Sequence, residues 1–592
     1  MLKIILVILT AMFAFFIPGY LLINLFKIKE HKIALGIGLS ICITTIISII
    51  LFLLPISKRY WILAPIIFST FIVISLIMLF FVKKTIFKTI KDDWKKFNQT
   101  NPIWTITSIV AFVAIFLAVF MVHLNYPGDI RYVNNQEPDT GWYKLPYHND
   151  EWIHTTQIDV MLFRTNLAFS NPYLKARPFH ENYEFGFHSF SGIFFFMINE
   201  RPLNIVQFLP GIFAAITAML IFTFLFQLTK SKWAGLFGVI FFTAIPTNTS
   251  LLGTWFYVPV SMSLFLIFLF LNLLILLDKD LKLFWLLIIV LITSLTLYPF
   301  VAILCGFALI AHYFSNQTLR KQINKKKLIY GLASIIILIM ATIIIIGFEK
   351  FLSFLIFEQG WSAVEITFSP FALLNIITIL FGAIGIYYSF KKKIPLIAYL
   401  AGIISIIITI YYLTNVSLLF IYRVSSYYFL LLTSILAAIG LNYLIENIIK
   451  EKKFVTVVNI FITIVIIFIL FNNYYTISEP ENQLYRLVNQ KQLDALESIP
   501  KQYVYENMMI ELKYSPAMYL LSPNYVVALQ SSNMGGGLTE DVHEFFSNSD
   551  CNRKEELLKI DDAKIVVSEN PITCEFLKLY TAKGFYIYTY ET

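Results

Sequence analysis

Apolar runs of about 20 residues recur along most of this chain, and no other feature constrains its fold as tightly. Residues 33–54 and 61–82 carry no charged side chain, and each run is long enough to cross a hydrocarbon layer as a helix. Only 14% of the residues are charged, against roughly 25% in a soluble globular chain. A β-barrel is excluded, because its strands alternate in polarity and are about 10 residues long. The net charge of +9 is not a nucleic-acid signal, because it is unevenly placed. Residues 471–592 hold 17 acids and 10 Lys+Arg, a net −7, which leaves +16 for the remainder. That positive charge sits in short loops between apolar runs, the pattern of one membrane face.

Residues 2–26 form a first expected span, too long for a signal peptide and with no small-residue cleavage site after it. The spans at 33–54 and 61–82 are followed by KKTIFKTIKDDWKK at 83–96, expected as a basic cytoplasmic loop. The span at 103–123 then runs outward and leaves residues 124–202 as a large outer loop. Within that loop, residues 188–198 are apolar but too short to span, and are expected as a helix that lies at the outer interface or re-enters. Further spans are expected at 202–228, 233–245, 256–277, and 283–314, the last broken at Tyr298-Pro299 into two short spans that meet outside. Those at 328–348, 371–390, 394–413, 418–444 and 454–471 complete the series. Residues 349–370 fall on the outer face in this arrangement. Every strongly basic loop then falls on one side. The expected fold is therefore an all-α polytopic membrane protein of about 14 transmembrane helices, with both termini outside. It would have extra N-terminal helices at 1–102, a membrane core at 103–471 and a soluble extracytoplasmic domain at 472–592.

The C-terminal region changes period. Stretches such as NYVVALQ, AKIVVSE and FYIYTY are strand-like, while TEDVHEFF, KEELLKI, the MMIELKYSPAMYLL segment and ITCEFLKLY have helical character. A small α/β domain is expected. Gly535–Gly537 lacks the Lys-Ser/Thr of a phosphate loop, so a surface turn is the expectation there. Cys551 and Cys574 are the cysteine pair of this region. They form a disulfide in an oxidising compartment or remain two free thiols. Cys42 and Cys305 fall in expected spans.

The ionisable groups gather at residues 147–188, which hold four of the eight histidines: His148, His154, His180 and His188. Asp150, Glu151, Asp159, Glu181, Glu184, Arg164 and Arg177 share the stretch. Asp150 and Glu151 are adjacent carboxylates. Such groups can take a proton from a hydroxyl or amine nucleophile. With His148, they can also hold Mg2+ or Mn2+. On a helix, Asp150 and His154 lie at i and i+4 on one face, and Glu184 and His188 repeat the spacing. Arg423 stands at the mouth of a late span. An Arg in an apolar setting suits a phosphate, or snorkels to lipid headgroups.

The order of these parts resembles the GT-C superfamily of integral-membrane glycosyltransferases. An outward span leads to an outer loop with the acidic pair in HNDEWIH, then to NPY at 171–173 and EFGFHSFSGIFFF, and finally to the Arg-headed RVSSYYFLLLTSILAAIGLNYL. The resemblance covers roughly residues 103–471. It implies a polyprenyl-phosphate-linked sugar as donor, a glycan, lipid or protein as acceptor, and inversion at the anomeric carbon. It implies Asp150 as the base, with Glu151 as the other candidate. His154, Glu184, His188 and Arg423 become the groups that hold the donor phosphate or substrate. The family includes metal-independent members, so the cofactor stays open. There is no WWDYG-like signature, so an oligosaccharyltransferase catalytic subunit is not the expectation, and ENYEFGFHSF stands where protein O-mannosyltransferases and aminoarabinose transferases carry Pro-Pro-Leu. The sugar and acceptor are therefore not implied. The other classes that fit are a polytopic transporter or lipid flippase, or a non-catalytic envelope assembly protein. A transporter places ionisable groups near the bilayer midplane, and these spans are nearly free of them. The implied location is the plasma membrane, with the 124–202 loop and the C-terminal domain extracytoplasmic.

This orientation makes a direct prediction. Single cysteines introduced near Asp139 and near Ser547 react with an impermeant thiol reagent in intact cells, and one near Lys88 does not. Labelling at Lys88 alone reverses the orientation.

Overall fold

The computed structural model describes residues 2–54, 60–99, 110, 113–120, 145–146, 148–163, 173–175, 184–245, 251, 253–316, 356–357, 370, 374–448, 455–465, 487–529 and 538–590. Most of the expected span at 103–123, the span at 328–348, and nearly all of 349–370 lie outside these residues. So do Arg164, Arg177, His180, Glu181 and Gly535–Gly537.

The fold is mostly helical. The N-terminal part contains α1 (Leu2–Phe15), α2 (Ile17–Leu25), α3 (Lys32–Leu53) and α4 (Tyr60–Gln99). The central loop contributes α5 (Asn149–Phe163) and α6 (Phe185–Ile198). Then come α7 (Leu209–Thr229), α8 (Lys232–Thr243), α9 (Pro259–Leu277), α10 (Phe284–Leu297) and α11 (Pro299–Ser315). The last apolar group is α12 (Ile376–Lys391), α13 (Leu396–Thr414), α14 (Tyr422–Ile448) and α15 (Val455–Val465). Among the described residues, seven helices are long and apolar enough to cross a membrane.

Packing follows from how apolar each helix is. Every residue of α9 except Ile275 is buried, as expected for a helix that is hydrophobic all round. It packs on α7, α10 and α11. The α12–α14 crossing is the closest. A Cβ on Gly385 would lie 1.9 Å from the Leu436 carbonyl oxygen, and one on Gly440 would lie 2.0 Å from that of Phe381. Small residues let the two backbones touch without a hydrophobic drive between the helices.

One expectation is corrected. The basic stretch at 83–96 is not a loop: α4 continues through it as one 40-residue helix, about 60 Å long. No Gly or Pro follows Pro65 within the helix, and Lys, Ile and Phe are compatible with helix. The short apolar helix after the loop, α6, is packed inside the bundle. In α6 every residue but Phe185 and Phe194 is buried, and it packs against α1, α3, α5 and α10. Its sequence is apolar on all faces, so no polar side is left for water.

Contacts sort the loops to two ends of the bundle. At one end Lys279 pairs with Glu30 at 2.8 Å, and His312 Nε2 lies 3.0 Å from Asp278 Oδ1. Ser231 bonds Asn442 at 2.7 Å, and Lys391 bonds Tyr443 at 3.3 Å. The turns carrying Lys27–Lys32, Lys230, Lys279 and Lys391–Lys393 therefore share this end. The Asp278–His312 contact also shows that α9 and α11 finish together, so α10 and α11 form a hairpin that turns at Tyr298.

At the other end sits the C-terminal α/β unit. A two-residue pair, β1 (Ile356–Phe357) with β2 (Ser417–Leu418), belongs to the helical part. The C-terminal sheet holds β3 (Asn507–Ile510), β4 (Tyr525–Val526), β5 (Ala563–Ser568), β6 (Lys578–Thr581) and β7 (Tyr586–Thr589) in the order β4-β3-β5-β7-β6. β4, β3 and β5 run parallel, while β7 and β6 are antiparallel. Helices α16 (Thr539–Ser547) and α17 (Cys551–Ile560) precede β5. Two stretches with helical character contain strands instead. Asn507–Ile510 is buried between β4 and β5, where pairing overrides local propensity, and Lys578–Thr581 forms the sheet edge.

Cys551 and Cys574 form a disulfide across a sequence separation of 23 residues. Closing a loop of this size contributes about 3 kcal/mol. Reduction, or a Cys574→Ser change, is expected to lower the melting temperature of the purified chain. Mass mapping without reductant should recover a Cys551–Cys574 cross-linked peptide, and two free thiols in mature protein contradict it.

Candidate active site

The cavity of interest encloses about 410 Å3, part of it open to solvent, at the end of the bundle away from the basic turns. It forms where five helices begin. Helix α5 brings Asp150 and His154 to the wall from its first two turns. Glu184, the N-cap of α6, Val258 and Pro259 at the start of α9, and Tyr298, the N-cap of α11, add three more helix starts. The first turn of α14 contributes Arg423 and Val424, and Tyr427 follows one turn on.

The local sequence explains these starts. Pro259 and Pro299 each open a helix, where the missing N–H costs nothing and φ is already set. His148 accepts the Asp150 N–H at Nδ1, 3.0 Å away, and so satisfies one free amide at the start of α5. Its remaining proton is then on Nε2. Ser261 accepts the Val258 N–H at 3.3 Å and bonds the Phe256 carbonyl, which tightens the entry to α9.

Asp150 and Glu151 do not act on the same space. Successive residues of a helix point about 100° apart. Glu151 is buried and its carboxylate accepts the Tyr257 N–H at 2.6 Å, tying the segment before α9 to α5. Asp150 faces the cavity, with Oδ2 3.9 Å from both Arg423 Nη2 and His148 Nδ1. Beyond it, His154 joins the two acid–histidine pairs. Its Nε2 lies 3.8 Å from Glu184 Oε2, and its Nδ1 lies 3.0 Å from His188 Nε2. His188 is almost fully buried behind the wall.

The two cavity carboxyls are held in opposite charge states. Burial works to raise the Asp150 pKa, but charge on His148, Arg423 and His154 outweighs it, and the group stays below its ordinary value. Burial pushes His148 down and pushes His154 down to about 4, in both cases against the pull of Asp150. Both imidazoles are then neutral near pH 7, and Arg423 is the lasting counter-charge of Asp150. Glu184 is pushed up to about 8 by burial and by the nearby Asp150 charge, with Arg423 opposing. Near neutral pH the site therefore holds one ionised acid and one protonated acid, the separation expected of a base beside a hydrogen-bond donor.

The environment favours anions. Each helix N-terminus presents unpaired N–H groups and the equivalent of roughly half a positive charge. Arg423 adds a cation at such a terminus, where the α14 dipole itself opposes it. Asp150, Glu151 and His148 do not form a joint donor set for a metal. Glu151 is turned to Tyr257, and the Nδ1 lone pair of His148 is used by the Asp150 amide. Among the described residues no group of three or more His, Cys, Asp or Glu side chains could hold a metal ion. No step below runs through one.

Of the sequence candidates, Asp150, His154, Glu184 and Arg423 line one cavity, while His148, Glu151 and His188 stand behind it. Cys551 and Cys574 belong to the C-terminal unit. Tyr298 and Tyr427 line the cavity too and were not singled out from sequence as site residues. The Tyr298-Pro299 break was the available signal for the first, since a Pro-started helix inside an apolar run points its N-terminus at something.

No family model and no curated protein matches this chain. Two solved structures of the oligosaccharyltransferase of Archaeoglobus fulgidus are similar to it, both at a TM-score of 0.47. One, tethered to an acceptor peptide containing the NVT sequon, is 14% identical and matches 78% of this chain and 69% of its own. The other, a complex with Zn and sulfate, is 15% identical and matches 78% and 68% respectively.

The raised pKa of Glu184 has a definite sign in stability. Between its ordinary value of 4.5 and about 8, the folded state keeps a proton that the unfolded state releases, so this contribution is lost as pH rises through that window. Glu184→Gln is expected to flatten the fall in melting temperature between about pH 5 and pH 8.5. Equal slopes in the two proteins would remove the assignment.

Proposed function

We propose that this chain is a membrane glycosyltransferase that moves a sugar from a polyprenyl-phosphate donor to an acceptor hydroxyl on the extracytoplasmic face, with inversion. One observation carries the reading: an ionised carboxylate, an arginine and five helix N-termini surround a single cavity opposite the basic turns. The GT-C resemblance of residues 103–471 supports the same class. A transporter would need its ionisable groups near mid-span, and these groups lie at helix starts.

In this reaction Asp150 takes the proton of the acceptor hydroxyl. The oxygen attacks the anomeric carbon from the face opposite the phosphate. The bond from that carbon to the phosphate oxygen breaks, and its electron pair leaves on the lipid phosphate. Arg423 and the free amides at the helix starts stabilise the charge that develops there. Protonated Glu184 donates a hydrogen bond within the same cavity, and neutral His154, backed by His188, lies beside it at 3.8 Å. The lipid tail lies in a groove between spans. Glu151 keeps the start of α9 against α5 and makes no direct contact with substrate.

Asp150→Asn is expected to lower transfer by about 10²–10⁴-fold with folding intact, because the amide is nearly isosteric and a lost base has effects of that size. Glu151→Gln, whose amide oxygen can still accept the Tyr257 N–H, should retain most activity. The assay follows release of free polyprenyl phosphate from a labelled lipid-linked sugar, with and without chelator. Full activity of the Asp150→Asn protein rules out Asp150 as the base.

A further inference from the structure

A second acidic site lies in the C-terminal unit, away from the cavity. Asp561 caps the end of α17 and is 7% exposed, and both of its carboxylate oxygens are buried without a hydrogen-bond partner. Helices α16 and α17 form an antiparallel hairpin. Arg553 Nε bonds Glu544 at 2.8 Å, and Lys554 Nζ sits 5.1 Å from the Phe545 ring centroid. This pairing brings the first turn of α16, with Asp541, beside the last turn of α17. Among the described residues no Lys or Arg pairs with Asp541 or Asp561, since Arg553 is taken by Glu544 and Glu556, and Lys564 by Asp562. Burial first, and the Asp541 charge second, push the Asp561 carboxyl up to about 6.

A buried carboxylate with a like charge beside it needs a cation, a proton or hydrogen bonds, because its desolvation is otherwise uncompensated. We propose that Asp541 and Asp561 bind a hard divalent cation of the Ca2+ type at the α16–α17 hairpin. The donors are all oxygens, which selects a hard ion over zinc or copper. Ca2+ accepts an irregular shell completed by carbonyls and water, which suits two carboxylates on separate helices. The site has a structural consequence. The Asp561 carbonyl accepts from Asn507 Nδ2 at 2.9 Å at the start of β3, and the next residue, Asp562, pairs with Lys175 of the membrane part at 3.3 Å. A cation here fastens the hairpin to the sheet, at the point where the unit meets the segment around residues 173–175.

The test uses the full-length chain in detergent and needs no transfer assay, so it is independent of the glycosyltransferase reading. Melting temperature is measured in a chelator, and then with rising CaCl2 or MgCl2 at constant ionic strength. The expected result is a saturable upward shift with at least one of the two salts. Asp561→Asn should abolish that shift, and in chelator should melt higher than the unaltered protein, because it removes a buried uncompensated charge. Asp541→Asn, at a less buried position, should weaken the shift, and it serves as the test if the first variant does not fold. No shift with either salt, or an equal shift in the Asp561→Asn protein, overturns the site. Stabilisation by lowering the pH, lost in Asp561→Asn, with no shift from either salt at any pH, would assign the position to a proton and overturn the cation site as well.

Discussion

A helix begins with amide groups that its own backbone cannot satisfy, and five helices of this chain begin at the same cavity. In an apolar bundle that arrangement is costly unless something at the cavity answers those amides. Part of the answer is internal: His148 takes one at α5, Ser261 one at α9, and the prolines at 259 and 299 remove others. Backbone carbonyls take more: Glu184 accepts from Phe187 at α6, Tyr298 from Val301 at α11 and Ile421 from Val424 at α14. Charge on His148, Arg423 and His154 outweighs the burial of Asp150 and holds it ionised, and Arg423 in turn has that carboxylate as its counter-charge.

The two carboxyls of the site follow from the same balance of burial and charge. Asp150 lies near Arg423 and starts a helix, and both favour its charge against the burial that opposes it. Glu184 lies beside an imidazole that burial keeps neutral, and its own burial, with the Asp150 charge, disfavours a second negative charge there. Two chemically similar groups thus receive different protonation states from geometry alone. In the proposed reaction this division gives one group that can accept a proton and one that can donate a hydrogen bond.

Much of this was legible in the sequence, and what was not has physical reasons. Apolar length marked α3, α9, α13 and α14 to within a few residues, because a spanning helix has little freedom in composition. The Tyr298-Pro299 break was legible for the same reason. Helix α5 was harder. It is polar by composition, yet Trp152, Thr155, Thr156 and Gln157 are all buried, and no periodicity announces a buried polar helix. The acid–histidine spacing was the signal that it is helical. Adjacency of Asp150 and Glu151 suggested a joint role. Only the helix phase separates them, and only the coordinates supply the Tyr257 amide that Glu151 binds. In the C-terminal unit, Asn507–Ile510 gave no strand signal because its pairing comes from β4 and β5, both distant in sequence.

The position of α5 is finally a property of the C-terminal unit. Tyr173 is fully buried, and its hydroxyl lies 2.8 Å from Thr156 Oγ1 on α5 and 3.0 Å from the carbonyl of Pro516. A phenol has one proton, so Tyr173 donates to the carbonyl and accepts from Thr156. The Tyr173 carbonyl in turn accepts the Val526 N–H of β4 at 2.7 Å. Arg201 spans the same junction, reaching Asp159 of α5 and the Leu520 carbonyl, each at 3.5 Å. The chain from Leu512 to Leu521, which leaves the carboxyl end of β3, packs directly on α5. A sheet unit more than 300 residues away in sequence, as the 343-residue separation of Tyr173 and Pro516 shows, therefore fixes the rotation of α5. Rotation of α5 decides whether Asp150 or Glu151 faces the cavity, so the C-terminal unit is part of the scaffold of the candidate site, and its loss would leave the base of the proposed reaction out of register.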